Sequence, residues 1–215
     1  NPQKGRYRQF YQFNLEVLGT KKSIADAMII MLVYTILKES GLKDINLQVN
    51  SIGDSECRNT YRRELTTYYK KHLKDICPDC RERLKTNPLR LLDCKNPLCQ
   101  PIKDSAPESV ASLCPACKTH FKELLEYLES MNIPYEINSN LVRGLDYYTR
   151  TVFEIVTTKK AGDLTDQSPA LALAGGGRYD GLAKILSGKK EVSAVGAGIG
   201  VDRVLMQPDY AKLTP

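Results

Sequence analysis

No stretch of the chain is long and apolar enough to cross a bilayer; the longest, around Ala27–Leu37, is too short and too interrupted. No basic-then-apolar leader opens the sequence. It also lacks an initiator Met, and the start Asn1-Pro2-Gln3-Lys4-Gly5-Arg6 reads as a truncation or a processing point. No internal repeat is visible, which sets aside solenoid arrays. An even cysteine complement is missing too: there are seven in 215 residues. Without a secretion signal, an odd count argues against a disulfide framework and for a reducing, cytoplasmic setting.

What is present is ordinary for a folded soluble protein. Apolar residues make up 42% and the net charge is +6. That excess is compatible with a nucleotide or nucleic-acid partner without being diagnostic. It is concentrated in two runs. Lys4, Arg6, Arg8, Lys21 and Lys22 face only Glu16 in the first 22 residues. Arg58, Arg62, Arg63, Lys70, Lys71 and Lys74 outnumber Asp54, Glu56 and Glu64 further on, a run that reads equally as a solvated helix face.

Periodicity suggests the elements. Phe10–Leu18 reads as a strand. Ser23 opens a helix, with Asp26 three residues on as in a capping box, and Gly41 stops it. Ile45–Ile52 is a second strand, and Gly53-Asp54 turns into a basic amphipathic helix reaching about Leu73. Residues 75–118 carry six of the cysteines and six prolines with little periodicity, so they form a candidate inserted module. A helix over His120–Met131 follows, then strands around Tyr135–Ile137, Tyr148–Thr157 and Leu171–Ala174. Residues 159–169 read as a hairpin loop. Gly175-Gly176-Gly177 and Gly196-Ala197-Gly198-Ile199-Gly200 read as glycine-rich turns, with a short helix from Val201. Strands bunched at both ends with helices between give an α+β fold: an antiparallel sheet flanked by helices. The expected organisation is 1–74 as the first part of a core, 75–118 as the insert and 119–215 as the second part.

Four stretches match one family. They are Gly5-Arg6-Tyr7-Arg8-Gln9-Phe10-Tyr11-Gln12 continuing to Glu16; Leu141-Val142-Arg143-Gly144-Leu145-Asp146-Tyr147-Tyr148; Ala174-Gly175-Gly176-Gly177-Arg178-Tyr179-Asp180-Gly181-Leu182; and Gly196-Ala197-Gly198-Ile199-Gly200-Val201-Asp202-Arg203. In this order and spacing they resemble motif 2, the two histidine-specific motifs and motif 3 of histidyl-tRNA synthetases, class II aminoacyl-tRNA ligases of protein biosynthesis. The resemblance implies an ATP-dependent histidine–tRNA ligase whose substrates are histidine, ATP with Mg2+, and tRNA(His). It implies no membrane partner and a homodimer for the full-length protein.

It also implies roles. Activation builds negative charge at the α-phosphate, where rigid guanidinium forks suit better than ammonium groups. Arg143 takes that contact. Arg203 stacks on adenine and reaches the γ-phosphate, Phe10 covers the other adenine face, and Arg6 and Arg8 meet the phosphates or the tRNA end. Glu16 and Tyr148 bond the two imidazole nitrogens, which only a site contacting both can recognise. Gln12 helps hold the α-amino group; strand periodicity puts it on one face with Phe10 and Glu16. Leu145, Tyr147, Tyr179, Gly175 and Gly177 complete the histidine pocket, where glycine backbone approaches the substrate closely. Taken singly, Phe10 reads as core packing and Glu16 as an exposed strand carboxylate.

The cysteines are a separate signal. Cys77-Pro78-Asp79-Cys80 and Cys114-Pro115-Ala116-Cys117 are two CxxC knuckles, with Cys94 and Cys99 a looser pair between them. Two CxxC pairs satisfy one tetrahedral zinc, so Cys77, Cys80, Cys114 and Cys117 are the expected ligands of a structural Zn2+. The alternative is a module of ordinary thiols without metal. Motif 1, the motif-2 arginine and an anticodon-binding domain are expected outside this stretch. A synthetase-like regulatory paralogue that binds histidine or tRNA without catalysis is the competing reading.

Overall fold

The computed structural model describes residues 7–142, 147–158 and 171–207. Among them, the elements run β1 Gln12–Leu18, α1 Ser23–Glu39, β2 Ile45–Ser51, α2 Ser55–Lys71, α3 Pro78–Thr86, α4 Gln100–Asp104 and α5 Pro115–Ser130, followed by β3 Glu136–Ile137, β4 Thr149–Thr157, β5 Ala172–Arg178, α6 Leu182–Ser187, β6 Ala194–Gly200 and α7 Val201–Leu205. The strands form one six-stranded sheet in the order β1-β6-β5-β4-β2-β3. All neighbours are antiparallel except β2 and β3. The α+β expectation holds.

The two faces of the sheet differ in kind. Leu47, Val49, Phe153, Ile155, Leu173, Val195, Ala197 and Ile199 point to one side and bury against Ile29, Ile30, Val33 and Leu37 of α1 and Phe121, Leu124 and Leu128 of α5. At roughly 1.5–3 kcal/mol per fully buried large apolar side chain, this layer dominates the fold's stability. Among the described residues, the opposite face over β1, β6 and β5 is polar and glycine-rich. A second apolar cluster joins Tyr61, Leu65 and Tyr69 of α2 to Ile76, Leu84, Leu91 and Leu92 of the cysteine-rich segment, and extends to Leu141, Tyr148 and Val152. That segment therefore shares a core with the residues beside the second motif.

Three expectations need correction. The two glycine-rich runs are not turns: they are the interiors of β5 and β6, in the middle of the sheet. They pair as Gly175 with Gly198 and Gly177 with Gly196, and the space their missing side chains would fill is used by neighbours. Asp26 does not cap α1. It is fully buried in the first turn and bonds to side chains from three other elements, and the N-cap, Lys22, makes no side-chain cap bond. Finally, α5 begins at Pro115 rather than His120, because Cys114 serves as its N-cap and proline suits the first helical turn.

Candidate functional site

β1 places Gln12, Asn14 and Glu16 on the open face, as the two-residue period requires. The next two strands offer no side chains there. Glu16 pairs with Gly196, which pairs with Gly177, which pairs with Val152. Asn14 pairs with Gly198, then Gly175, then Glu154. The result is a strip of bare backbone two strands wide, walled by Glu16 and Asn14 on one side and by β4 on the other. A Cβ at Gly196 would overlap the Glu16 carboxylate, and one at Gly198 would overlap the Gln12 amide. Glycine is needed here for close approach.

At one end of this strip lies a cleft of about 390 Å³, lined among others by Phe10, Tyr11, Gln12, Glu154, Gly175, Gly198 and Arg203. Phe10 and Arg203, from opposite ends of the sequence, share this cleft. Phe10 just precedes β1 and is 60% exposed, so it is not core packing. Arg203 is on α7 and donates to the Ala172 carbonyl at 2.6 Å. The α7 start is tied to the Phe10 segment: Tyr11 N donates to Asp202 Oδ2 at 2.6 Å, and Val201 N donates to the Tyr11 carbonyl at 3.0 Å.

At the other end stand three tyrosines. The Tyr179 hydroxyl donates to Glu16 Oε2. Burial, and then this bond to a carboxylate, push the Tyr179 phenol well above its ordinary value, so it stays a donor. Tyr147 packs on Tyr148 at 4.6 Å between ring centroids and meets Tyr179 edge-on at 5.9 Å. Tyr148 lies against Gly177, where an added Cβ would come within 2.9 Å of its ring. Arg58 of α2 donates to the Tyr148 carbonyl at 2.7 Å, fixing the backbone at this point.

Beneath the strip is a buried polar network. Arg178, the residue before Tyr179, is fully buried; its Nη2 donates to Asp26 Oδ1 and its Nε to Asp26 Oδ2 at 3.3 Å. Asp26 Oδ2 also accepts from Thr151 at 2.6 Å and His120 Nε2 at 2.7 Å. Burial alone would raise the Asp26 carboxyl, but the His120 and Arg178 hydrogen bonds and their charges hold it below the usual carboxylate range. Arg178 Nη1 donates to Asp180 Oδ1 at 3.0 Å and to the Thr20 carbonyl at 2.8 Å. Thus α1, α5, β4 and the loop before α6 are tied together directly under the tyrosines.

Of the sequence-based site residues, Phe10, Gln12, Gly175 and Arg203 border the cleft, and Glu16, Tyr147, Tyr148, Gly177 and Tyr179 gather at the tyrosine end. Arg8 is exposed ahead of β1. Arg6, Arg143 and Leu145 lie outside the described residues, as does the 159–169 loop. Asn14 and Glu154 face the strip as well, and the strand period that selects Gln12 and Glu16 also selects Asn14.

The cysteines do not assemble as expected. Cys77, Cys80, Cys94 and Cys99 form one buried group, and Cys57, Cys114 and Cys117 form another together with Asp54. The two CxxC knuckles therefore belong to different groups. The first opens α3 inside the cysteine-rich segment. The second opens α5, whose N-terminus sits against the start of α2. In the first group, Cys77 Sγ lies 3.9 Å from Cys94 Sγ, and Cys99 Sγ lies 3.9 Å from Cys80 Sγ. Tetrahedral zinc with Zn–S near 2.3 Å has S···S edges of about 3.8 Å. Burial, and then neighbouring thiols, push Cys80 far above its ordinary value.

The fold and the site together define a class II-type synthetase catalytic sheet. The family model for histidyl-tRNA synthetase matches residues 102–204. The chain is 46% identical over 203 residues to a histidine–tRNA ligase of Desulfatibacillum aliphaticivorans, covering 94% of the chain and 46% of that protein. It is 44% identical over 205 residues to one from Moorella thermoacetica, covering 95% of the chain and 47% of that protein. The crystal structure of apo S. aureus histidyl-tRNA synthetase superposes with a TM-score of 0.74 at 31% identity, over 97% of the chain and 49% of that structure. The chain belongs to the histidyl-tRNA synthetase family, and it spans about half the length of the relatives it matches. Among the described residues, no helix is long and apolar enough to cross a membrane.

Proposed function

We propose that this chain supplies the amino-acid- and ATP-binding half of a histidine–tRNA ligase. The single observation that carries this reading is the glycine strip: a bare strand surface joins a cleft bordered by Phe10 and Arg203 to a cluster of Glu16 and three tyrosines. Two flat or compact ligands laid along that strip would meet end to end, which adenylation requires. The adenine of ATP, with Mg2+ on its phosphates, lies between Phe10 and Arg203. The imidazole lies toward Glu16 and Tyr148, with Gln12 near the α-amino group and Tyr147, Leu145 and Tyr179 around the ring. A histidine carboxylate oxygen then attacks the α-phosphorus, the bond to the bridging oxygen breaks, and pyrophosphate leaves. Arg143, by family position, stabilises the charge at that phosphorus, while Arg6 and Arg8 serve the phosphates or the tRNA end.

The histidyl-adenylate next esterifies tRNA(His). Motif 1, an anticodon-binding part and a homodimer belong to the full-length protein on this reading, and its setting is the cytoplasm. Residues 75–118 act as an insert. A structural zinc is held by Cys77, Cys80, Cys94 and Cys99, whose spacing fits a closed tetrahedron with no open position.

Charging of a tRNA(His) transcript with labelled histidine by the full-length protein tests this function. Stoichiometric charging supports it. Histidine binding with no charging and no adenylate would favour the regulatory paralogue instead.

A further inference from the structure

A second group of thiols joins the end of the cysteine-rich segment, at Cys114 and Cys117, to Cys57 at the start of α2. Gly53 and Asp54 form the turn between β2 and α2. Gly53 has φ +68°, and an added Cβ there would collide with Cys57 and come within 3.0 Å of Leu113. The backbone is thus pressed against the start of α2 at a position that favours glycine. Asp54 is the N-cap of α2, and its two oxygens are divided. Oδ1 accepts from the backbone N–H of Glu56 at 3.1 Å and of Cys57 at 3.0 Å. Oδ2 faces away from the helix, 3.3 Å from Cys117 Sγ and 3.7 Å from Cys114 Sγ. The third sulfur, Cys57, comes from the first turn of α2 and accepts from Cys114 N at 3.1 Å. The four ligand atoms all lie within 4.8 Å of one another, and Cys57 and Cys117 are buried.

We propose that Asp54, Cys57, Cys114 and Cys117 form a second tetrahedral site for a thiophilic divalent cation of the zinc class, which clamps the N-terminus of α5 to the β2–α2 turn. Three observations converge. With metal–sulfur bonds near 2.3 Å and metal–oxygen bonds near 2.0 Å, tetrahedral S···O edges are about 3.5 Å, and the two measured separations lie on either side of that value. Dividing the Asp54 oxygens between helix cap and thiols leaves one lone-pair face for an ion while the cap is kept. The cysteine count also closes. All seven cysteines fall into the two groups, four in one and three in the other, and the single carboxylate supplies the missing fourth ligand. An odd total that suits no disulfide scheme suits a four-sulfur site plus a three-sulfur, one-oxygen site.

The clamp has a structural consequence near the tyrosines. From the same turn, Gly53 O accepts from Arg150 N at 2.7 Å, and Arg58, one helical turn on, holds the Tyr148 carbonyl. The ion would fix the piece of α2 on which the backbone of Tyr148 rests. The proposal does not depend on the adenylation reading, since its test reads metal rather than activity.

The experiment is elemental analysis of the full chain purified under reducing conditions, with cadmium-113 NMR of the cadmium-exchanged protein. Two ions per chain are expected, and two cadmium resonances, one in the range of four sulfurs and one in the range of three sulfurs and an oxygen. Cys57→Ser or Cys117→Ser should remove one ion and the second resonance while the first persists. Cys80→Ser should do the reverse. A single ion per chain with one four-sulfur resonance would overturn the proposal, as would two ions that both survive Cys57→Ser. If the Cys57→Ser chain does not fold, the wild-type cadmium spectrum alone decides.

Discussion

The Tyr179 phenol reaches from the end of β5 over the backbone of β6 to donate to the Glu16 carboxylate on β1. It can do so because the strand between them carries Gly196 opposite Glu16. The bond sets where the carboxylate points, and so which nitrogen of an imidazole it can accept from. Tyr179→Phe should therefore weaken histidine binding by ~1 kcal/mol, about fivefold, with ATP binding unchanged. Gly196→Ala should cost more, because its Cβ displaces the carboxylate itself. Calorimetry with histidine checks both; equal affinities for wild type and Gly196→Ala would place the ring elsewhere.

Beneath Tyr179, the Asp26–Arg178 pair is fully buried. Replacing one member leaves the other charge without its partner, so Asp26→Asn should lower the unfolding free energy by about 3–5 kcal/mol at neutral pH, read by urea denaturation. The pH dependence follows from the sign of the shift. The Asp26 carboxyl titrates below its ordinary value of 3.8 in the folded chain. Its stabilisation is thus fully present above that value and is lost as pH falls through the lower folded one. The wild type should lose stability in that acid window more steeply than Asp26→Asn. Parallel acid limbs would show that the pair contributes no linkage.

Phe10 is exposed at the rim of the cleft that Arg203 shares. If it covers an adenine face, Phe10→Ala should weaken ATP binding by roughly 0.5–1.5 kcal/mol beyond lost area, while histidine binding and thermal stability stay near wild type. Loss of stability with unchanged ATP affinity would instead mark Phe10 as a packing residue.

The first zinc assignment has its own check. Cys94→Ser or Cys99→Ser should release the ion held with Cys77 and Cys80 and loosen residues 77–104, measured by hydrogen exchange. Retention of the full metal content in Cys94→Ser would remove that residue from the ligand set.

Much of this was legible in the sequence. Alternating and helical periodicity places β1, α1, β2, α2 and β4 to within a few residues, because each buries one face, α2 against the second apolar cluster and the others against the first. The glycine runs signal turns locally, yet both are strand interiors. In β6 the space above the glycines is taken by Gln12 and Glu16, partners 180 or more residues away in sequence. Asp26 looked like a capping residue for the same reason: its true partner, Arg178, is 152 positions on. Spacing pairs the two CxxC knuckles because it reports only which thiols share a turn, whereas the fold puts them in different groups. Which turns meet is decided by α5 packing its N-terminus on α2, and no local pattern carries that.

The central claim is that the glycine strip sets histidine and ATP end to end for adenylation. Histidine-dependent exchange of labelled pyrophosphate into ATP by the full-length protein tests it most directly. The expected result is exchange with histidine but not with phenylalanine or leucine, reduced at least tenfold in both Gly198→Ala and Arg203→Ala. Exchange that is absent with histidine, or that is undiminished when Gly198 gains a side chain, would contradict it.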